Sequence, residues 1–154
     1  MHVNIGGTGL QGTSTFLDQN AHVDANPENY EDQTIRTFRL DNIVEQLELS
    51  ERLNFIKIDT EGFDTFVLEG GLEIIKKHNP AIIVEAHSIR LRQSGKSWQW
   101  YLDTFPEYHI LIIYPLNRAK PYLHLEPLVA DQAEISVNLL LLPKNNVVVP
   151  DLNS

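Results

Sequence analysis

The sequence predicts an α/β fold in which helices lie on the faces of a mainly parallel sheet. Two observations carry this prediction. A strand, an amphipathic helix and a second strand follow one another in the middle of the chain, and two further apolar strands, each closed by a proline, come later. No helical pattern separates these last two strands, so we expect them to be antiparallel neighbours.

The strand–helix–strand unit carries the strongest pattern. Residues 54–59 read as a strand that ends in a Thr-Glu-Gly turn, and residues 81–85 form a short, continuous apolar strand of the kind buried on both faces of a parallel sheet. Between them, residues 63–78 carry apolar side chains at three- and four-residue spacing, which predicts one helix. Basic residues in its last turn, followed by Asn79 and Pro80, mark the end of that helix.

Two glycines and one aspartate are expected to shape the helices. Gly70 and Gly71 each cost about 1 kcal/mol relative to alanine in a helix interior, so we expect a close packing contact to compensate. Upstream, Asp41 is placed to cap a short helix of its own. The apolar side chains of that short helix share one face: Ile43, Val44 and Leu47.

The remaining elements follow in order. Residues 98–105 predict a helix, and residues 108–114 and 135–142 predict strands. Residues 115–134, which contain three prolines and have mixed polarity, are expected to form a loop. The predicted helix has one apolar side: Trp98, Tyr101, Leu102 and Phe105.

The chain of 154 residues fits one domain. We expect a polar, Gly-rich lead-in over residues 1–33, a core over residues 34–145 and a fraying tail over residues 146–154. The sequence contains no internal repeat and no low-complexity tract, which also favours a single domain.

The charge balance argues against several partners. Twelve Lys and Arg against 21 Asp and Glu give a net charge of −9, which repels nucleic acid and anionic lipid. The chain has no cysteine, and its six histidines lack the spacing of a zinc site, so we expect no metal. Neither a signal-peptide pattern nor an apolar stretch of membrane length occurs, so we expect a cytoplasmic protein without membrane contact.

Two pairs of ionisable side chains end the two central strands. Asp59 and Glu61 close the first strand, and Glu85 and His87 close the second. Because the carboxyl ends of parallel strands meet at the edge of a sheet where ligands bind, we expect all four side chains at one rim. Such a cluster could supply a base, bind hydroxyl groups or hold a divalent cation. The competing interpretations are that Asp59 and Glu61 cap the next helix and that His87 is a structural histidine.

A Gly-rich segment near the start fits the dinucleotide-binding pattern G-x-G-x-x-G. Residues 7–12 match its letters, but only a short piece of strand precedes them and no helical stripe follows. The phosphate-binding mechanism requires both a buried strand before and a helix after. We therefore interpret the segment as a turn between two short strands.

Four segments of the chain form an ordered set of motifs. Residues 55–64 contain K-I-D-T-E-G, residues 67–71 read V-L-E-G-G, and residues 80–85 read P-A-I-I-V-E. Together with the upstream Leu40-Asp41 pair, these segments resemble the FkbM family of methyltransferases, which carries K-I-D-x-E-G, L-x-G-a and P-x-hydrophobic-E in this order. The resemblance is clear from about residue 34 to residue 88.

The resemblance implies a fold, a reaction and roles for site residues. The fold is a Rossmann-like class I methyltransferase sheet with an antiparallel last strand pair. The reaction is transfer of a methyl group from S-adenosylmethionine to a hydroxyl of a sugar, polyketide or similar metabolite. Asp59 and Glu61 then lie where the methyl donor meets the acceptor. Asp59 is the first candidate for the base that removes the hydroxyl proton, and His87 is the second; Glu85 is assigned to substrate binding.

The first part of the chain departs from the family pattern. Family members begin with a strand and a D-x-G-A-N-x-G loop around the cofactor, followed by an acidic residue for the ribose, and residues 1–33 match none of these. The cofactor-binding residues therefore stay unassigned. We expect a sheet that is incomplete at its N-terminal side, with Met1 inside the family's domain and the strand at 54–59 exposing an edge that invites self-association.

Three interpretations stay open at this point. The first is an FkbM-type O-methyltransferase, inactive on its own if truncation has removed the cofactor site. The second is a non-catalytic remnant or interaction module that completes its sheet with a partner. The third is a metal-dependent α/β enzyme that uses the rim of Asp59, Glu61, Glu85 and His87.

Overall fold

The computed structural model of the chain describes residues 2–4, 30–32, 34–47, 53–114 and 124–145. Its strands are β1 (His2–Asn4), β2 (Tyr30–Asp32), β3 (Phe55–Ile58), β4 (Ala81–His87), β5 (Tyr108–Tyr114), β6 (His124–Pro127) and β7 (Ser136–Pro143). Its helices are α1 (Leu40–Gln46), α2 (Asp64–Glu69), α3 (Leu72–His78), α4 (Ser88–Gln93) and α5 (Trp98–Thr104). The strands and helices alternate through the middle of the chain, which confirms the predicted α/β class.

The described strands form two sheets. β1 and β2 make a small antiparallel pair, and the other strands form a five-stranded sheet in the order β3-β4-β7-β5-β6. β3 and β4 are parallel, whereas β7 lies antiparallel between β4 and β5. The predicted antiparallel pairing of the last two apolar strands is confirmed. β3 occupies the outer position that the sequence predicted as an exposed edge.

The core lies on one face of this sheet. Ile82, Val84 and Ala86 of β4 are at most 3% exposed and pack with residues from α2, α3, α4 and α5. The alternate residues of β4 are only half-buried, so the prediction of burial on both faces is wrong for this strand. Among the described residues, the core helices pack against one face of the sheet. The two-residue period of a strand turns every second side chain away from these helices.

The predicted helix over residues 63–78 is two helices, and that prediction is wrong. α2 ends at its C-cap Gly70, and α3 begins after its N-cap Gly71. The start of α1 crosses this junction, so a Cβ atom on Gly71 would lie 3.0 Å from Cδ2 of Leu40. The amide of Asp41 also donates to the carbonyl oxygen of Gly70 at 3.0 Å. The close contact that was expected to compensate for the two glycines is therefore confirmed, although it divides the helix.

Asp41 caps a different helix from the one predicted. α1 has Arg39 as its N-cap, without a side-chain capping bond, and Asp41 lies within the first turn. Its Oδ1 accepts the amide proton of Ile74, near the start of α3, at 3.0 Å, and its Oδ2 accepts from Arg39 Nη2 at 3.2 Å. The carboxylate is buried, so it fastens α1 to α3 while satisfying a helix-terminal amide.

We expect replacement of Asp41 by alanine to lower the free energy of unfolding by about 1–2 kcal/mol, because the capping bond to α3 is lost. Urea denaturation followed by tryptophan fluorescence measures this change. Asp103→Ala, which removes an exposed helical aspartate, is the matched control and should change stability by less than about 0.5 kcal/mol. Equal losses in the two variants would contradict the capping role.

Three other sequence predictions have different outcomes. The αL cap at Asn79 is confirmed, with φ 47° and its amide 2.8 Å from the carbonyl oxygen of Ile75. The predicted loop over residues 115–134 is wrong in part, because β6 lies within it and pairs with β5. Pro127 is tolerated there because β6 is an outer strand. The apolar face predicted for α1 is not covered by the described residues, since Leu47 is 62% exposed.

Helix α4 was not predicted. It begins directly after β4 without a turn that the sequence would signal, and His87 is its N-cap. The Gly-rich segment at residues 7–12 and the tail at residues 146–154 lie outside the described residues. No helix among the described residues is long and apolar enough to cross a bilayer.

Candidate functional site

The carboxyl ends of β3 and β4 bring three acidic side chains together. The parallel register pairs Ile58 with Val84, so the residues that follow leave the sheet side by side. One carboxylate oxygen each of Asp59, Glu61 and Glu85 lies within 4.8 Å of the others. We call these three residues the carboxylate rim. His87, the fourth residue predicted for this edge, is not part of this group.

The loop between β3 and α2 is held by Asp64. Its Oδ1 accepts from the amide and the hydroxyl of Thr60, at 2.9 and 3.1 Å, and its Oδ2 accepts from the amide of Gly62 at 3.0 Å. Between these anchor points Glu61 has φ 52° and Gly62 has φ 99°. A left-handed conformation costs about 1–2 kcal/mol for a residue such as Glu61, so the bonds to Asp64 maintain it.

Asp64 is a site residue that sequence reasoning missed. No role was predicted for it from the sequence. It is 5% exposed, as an acid in the first turn of α2. The available signal was an aspartate just after a Gly-containing turn, a position from which a carboxylate can bind the backbone amides of that turn. Asp64 binds the turn before α2, whereas the capping interpretation had Asp59 and Glu61 cap the helix itself, whose N-cap Phe63 makes no side-chain capping bond.

Asp59 lies on the outer side of the carboxylate rim. Its side chain is 55% exposed, and its Oδ2 pairs with Nζ of Lys57 at 2.8 Å. Exposed pairs of this kind contribute little to stability, because solvent screens them and both side chains lose freedom. The carboxylate of Asp59 is therefore accessible to a ligand at the edge of the sheet.

Burial perturbs the other two carboxylates. It is the largest cause that raises the pKa of Glu61, with the charges of Asp59 and Asp64 adding and that of Arg90 opposing. Burial is also the largest cause that raises the pKa of Glu85, followed by the neighbouring acids, with Lys57 opposing. Both groups hold a proton to higher pH than an ordinary glutamate, which suits groups that exchange protons with a ligand.

One ring nitrogen of His87 binds the backbone of α4. Its Nδ1 accepts the amide proton of Ile89 at 3.1 Å, and burial, followed by the charges of Arg90 and Arg92, lowers its pKa. A neutral imidazole that accepts at Nδ1 carries its proton on Nε2. In this tautomer His87 is a hydrogen-bond donor at Nε2, so Asp59 stays the better-placed of the two predicted bases. The competing interpretation of His87 as a structural histidine therefore holds for Nδ1, the nitrogen that binds the backbone.

An apolar groove runs along the outside of this loop. It has a volume of about 640 Å³, a size suited to a cofactor or drug-sized ligand. Phe38, 65% exposed, and Ile35, 43% exposed, lie on one side. Thr60 and Phe63 of the loop lie on the other. The groove thus places an apolar surface beside Thr60, the residue between Asp59 and Glu61 of the carboxylate rim.

Comparison with known proteins gives one match. The family model described as "Methyltransferase FkbM domain" matches residues 2–114. That range includes β3, the loop and β4, and hence every residue of the carboxylate rim. Neither the curated proteins nor the solved structures contain a match to this chain.

Proposed function

The chain belongs to the FkbM methyltransferase family, and we propose on that basis that it serves O-methylation of a sugar or similar small metabolite, with S-adenosylmethionine as donor. The observation that carries the proposal is the convergence of Asp59, Glu61 and Glu85 at the end of two parallel strands. Ligands of open α/β sheets bind at this edge.

The residues present fit such a cofactor in two respects. The sulfonium of S-adenosylmethionine is positively charged, and the carboxylates of Asp59, Glu61 and Glu85 would offer it negative charge. The apolar groove is large enough for the adenosyl part, and Phe38 and Phe63 offer aromatic surface there. When bound, S-adenosylmethionine supplies a methyl group that is open to attack by an oxygen nucleophile.

Residues of the chain then bind and deprotonate the methyl acceptor. Asp59 takes the proton of the reacting hydroxyl as a general base, a contribution of about 100- to 10,000-fold in rate. Glu85 accepts a hydrogen bond from the acceptor, and His87 donates one from Nε2. Glu61 adds a third carboxylate to this rim. Holding acceptor and donor in line is the larger part of catalysis in such a transfer.

A second candidate function is a non-catalytic interaction module. The observation that favours it is the position of β3 at the sheet edge, with Phe55 52% exposed. Antiparallel pairing with a second copy, centred on Ile58, would set each Lys57 opposite the other copy's Asp59, which is favourable. Such pairing engages Asp59, so the two functions compete for one side chain.

The third candidate is a metal-dependent enzyme. Oxygen atoms of Asp59, Glu61 and Glu85 lie close enough together to contact one hard divalent cation. This function and the first therefore use the same three carboxylates with different ligands. A cytoplasmic location, which all three candidate functions share, stays a prediction from the sequence.

Calorimetric titration of S-adenosylmethionine and S-adenosylhomocysteine into the purified chain separates these candidates. The proposed function predicts saturable binding with a dissociation constant between about 1 μM and 1 mM. Sedimentation velocity and thermal unfolding with Mg²⁺ accompany it. A folded chain that binds neither compound contradicts methyl transfer by this chain. In that case dimerisation supports the interaction module, and stabilisation by Mg²⁺ supports the metal-dependent enzyme.

A further inference from the structure

A lysine that is almost fully buried contacts the wall of the apolar groove. The side chain of Lys96 is 10% exposed, and its Nζ lies 3.1 Å from Oε1 of Glu69. The same ammonium group lies 4.3 Å from the centre of the Phe66 ring and 5.5 Å from that of Trp100. Glu69 and Phe66 both line the groove, whereas Lys96 does not. Lys96 therefore contacts this wall from inside the protein.

The turn after α4 fixes the position from which Lys96 reaches this wall. Gly95 has φ 72°, and its amide donates to the carbonyl oxygen of Arg92 at 3.0 Å. The amide of Lys96 donates to the carbonyl oxygen of Leu91 at 2.8 Å. Together these bonds form the Schellman motif, in which a left-handed glycine ends a helix and the following residue folds back on its last turn. The side chain of Lys96 thus starts from an ordered backbone.

Helix α2 carries this wall and depends on tertiary contacts for its position. It is six residues long, and its N-cap Phe63 makes no side-chain capping bond. Isolated helices of this length are unstable in water. Phe63, Phe66 and Glu69 follow one another at three-residue spacing, which places them along one side of the helix. The rings of Phe63 and Phe66 stack with their centres 4.5 Å apart, so the contacts of Phe66 also influence where Phe63 lies.

Stability alone does not explain a lysine at this position. Removing an ammonium group from water costs free energy, and an ion pair with Glu69, which is 40% exposed, offsets only part of it. An unbranched apolar side chain would occupy the same space without that cost. The ammonium group adds direction, because it lies against the ring of Phe66 and pairs with Glu69 at the same time. These two contacts fix the ring and the carboxylate relative to each other.

We propose that Lys96 is a positioning residue of the apolar groove, which holds the stacked rings of Phe63 and Phe66 as one wall of that groove. The proposal rests on the proposed function, since its ligand is the cofactor, and it adds a residue outside the groove to those that determine binding. A wall that is ordered before the ligand arrives lowers the entropy cost of binding. Loss of Lys96 therefore weakens binding while the chain stays folded.

The test compares Lys96→Met with the unmodified chain, because methionine fills the space of the lysine stem without its charge. We expect calorimetric titration to show a dissociation constant for S-adenosylhomocysteine that is about 10-fold higher, which corresponds to ordering one or two side chains on binding. The urea midpoint should stay within about 0.3 M of the unmodified value. In the ligand-free protein, the aromatic NMR signals of Phe63 should shift, because its stacking partner loses a fixed position.

Two further variants serve as controls. Lys96→Arg keeps a positive charge that can pair with Glu69 and lie on an aromatic ring, so its affinity should stay within about 2-fold of the unmodified chain. Lys144→Met is the matched control, because Nζ of Lys144 also has a defined partner, the carbonyl oxygen of Pro106 at 2.7 Å, but lies outside the groove. It should change neither the affinity nor the Phe63 signals.

A variant on the other side of the ion pair keeps the test decisive if Lys96→Met does not fold. Glu69→Gln removes the ion pair at a partly exposed position and keeps the volume of the side chain. It should weaken binding of S-adenosylhomocysteine about 3-fold and shift the Phe63 signals in the ligand-free protein. Unchanged affinity together with unchanged Phe63 signals would contradict the positioning role.

Two results with Lys96→Met would also overturn it. One is unchanged affinity in the folded variant. The other is a lower urea midpoint with a loss of affinity that Lys96→Arg does not reverse, as expected of a residue that only stabilises the fold. In both cases the unmodified chain binds S-adenosylhomocysteine, so the proposed function stands.

The opposite combination is also distinguishable. If the unmodified chain does not bind S-adenosylhomocysteine, the proposed function fails, and the Phe63 signals decide the positioning role. A shift in Lys96→Met that Lys96→Arg reverses supports that role, and unchanged signals overturn it.

Discussion

Replacement of Asp59 by alanine is expected to lower methyl transfer at least about 100-fold in a form of the protein that binds S-adenosylmethionine, because the reacting hydroxyl loses its general base. The free energy of unfolding should change by less than about 0.5 kcal/mol. Asp59 is 55% exposed, and its one described ion pair, to Lys57, is itself open to solvent. Turnover and urea denaturation, measured on the same preparation, give the two quantities.

Lys57→Ala is the control for this variant. It removes the same ion pair but leaves the carboxylate of Asp59 in place, so turnover should fall by less than about 10-fold. Equal activity of Asp59→Ala and the unmodified protein would remove Asp59 from the mechanism. Equal losses in the two variants would assign the effect to the ion pair rather than to proton transfer.

Replacement of Asp64 by alanine should lower the free energy of unfolding by about 2–4 kcal/mol. The buried carboxylate accepts three hydrogen bonds from the partly buried Thr60 and Gly62, and all three are lost in the variant. The left-handed backbone at Glu61 would also lose its support. Urea denaturation measures the loss of stability, and turnover below the unfolding transition measures the loss of loop geometry.

Asp64→Asn is the variant to compare with Asp64→Ala. It keeps one oxygen acceptor and the volume of the side chain, so it should lose less stability than Asp64→Ala. A loss below about 1 kcal/mol in Asp64→Ala would show that the loop conformation is set by its own turn rather than by this carboxylate. Full turnover in a folded Asp64→Ala protein would separate the loop from catalysis.

The sheet could be predicted from the sequence because its signals are local. The apolar runs at residues 81–85, 108–114 and 135–142 mark β4, β5 and β7, and the absence of a helical pattern between the last two predicted their antiparallel pairing. The break at Gly70 and Gly71 could not be predicted, because its cause is Leu40, which is distant in sequence. Asp41 was assigned to the nearer helix for the same reason.

The candidate site could likewise be predicted only in part from the sequence. Asp59, Glu61 and Glu85 were predicted to meet because parallel strands end at one edge, and the structure brings them together. The binding of His87 to the backbone of α4 could not be predicted, since nothing in the sequence marks the start of that helix. Asp64 was missed because two of its three hydrogen-bond donors are backbone amides, whose only signal in the sequence is an aspartate just after a Gly-containing turn. The catalytic roles of these residues stay predictions.

The position of β7 has a consequence for the biosynthesis of the protein. β7 is the last of the described strands along the chain, yet it is the third of the five strands across the sheet and pairs with both β4 and β5. While the ribosome is still adding residues before Ser136, β4 and β5 have no strand between them and leave backbone N–H and C=O groups unpaired at their edges. The five-stranded sheet therefore closes only after β7 has emerged from the exit tunnel, and until then these edges are open to pairing with other chains.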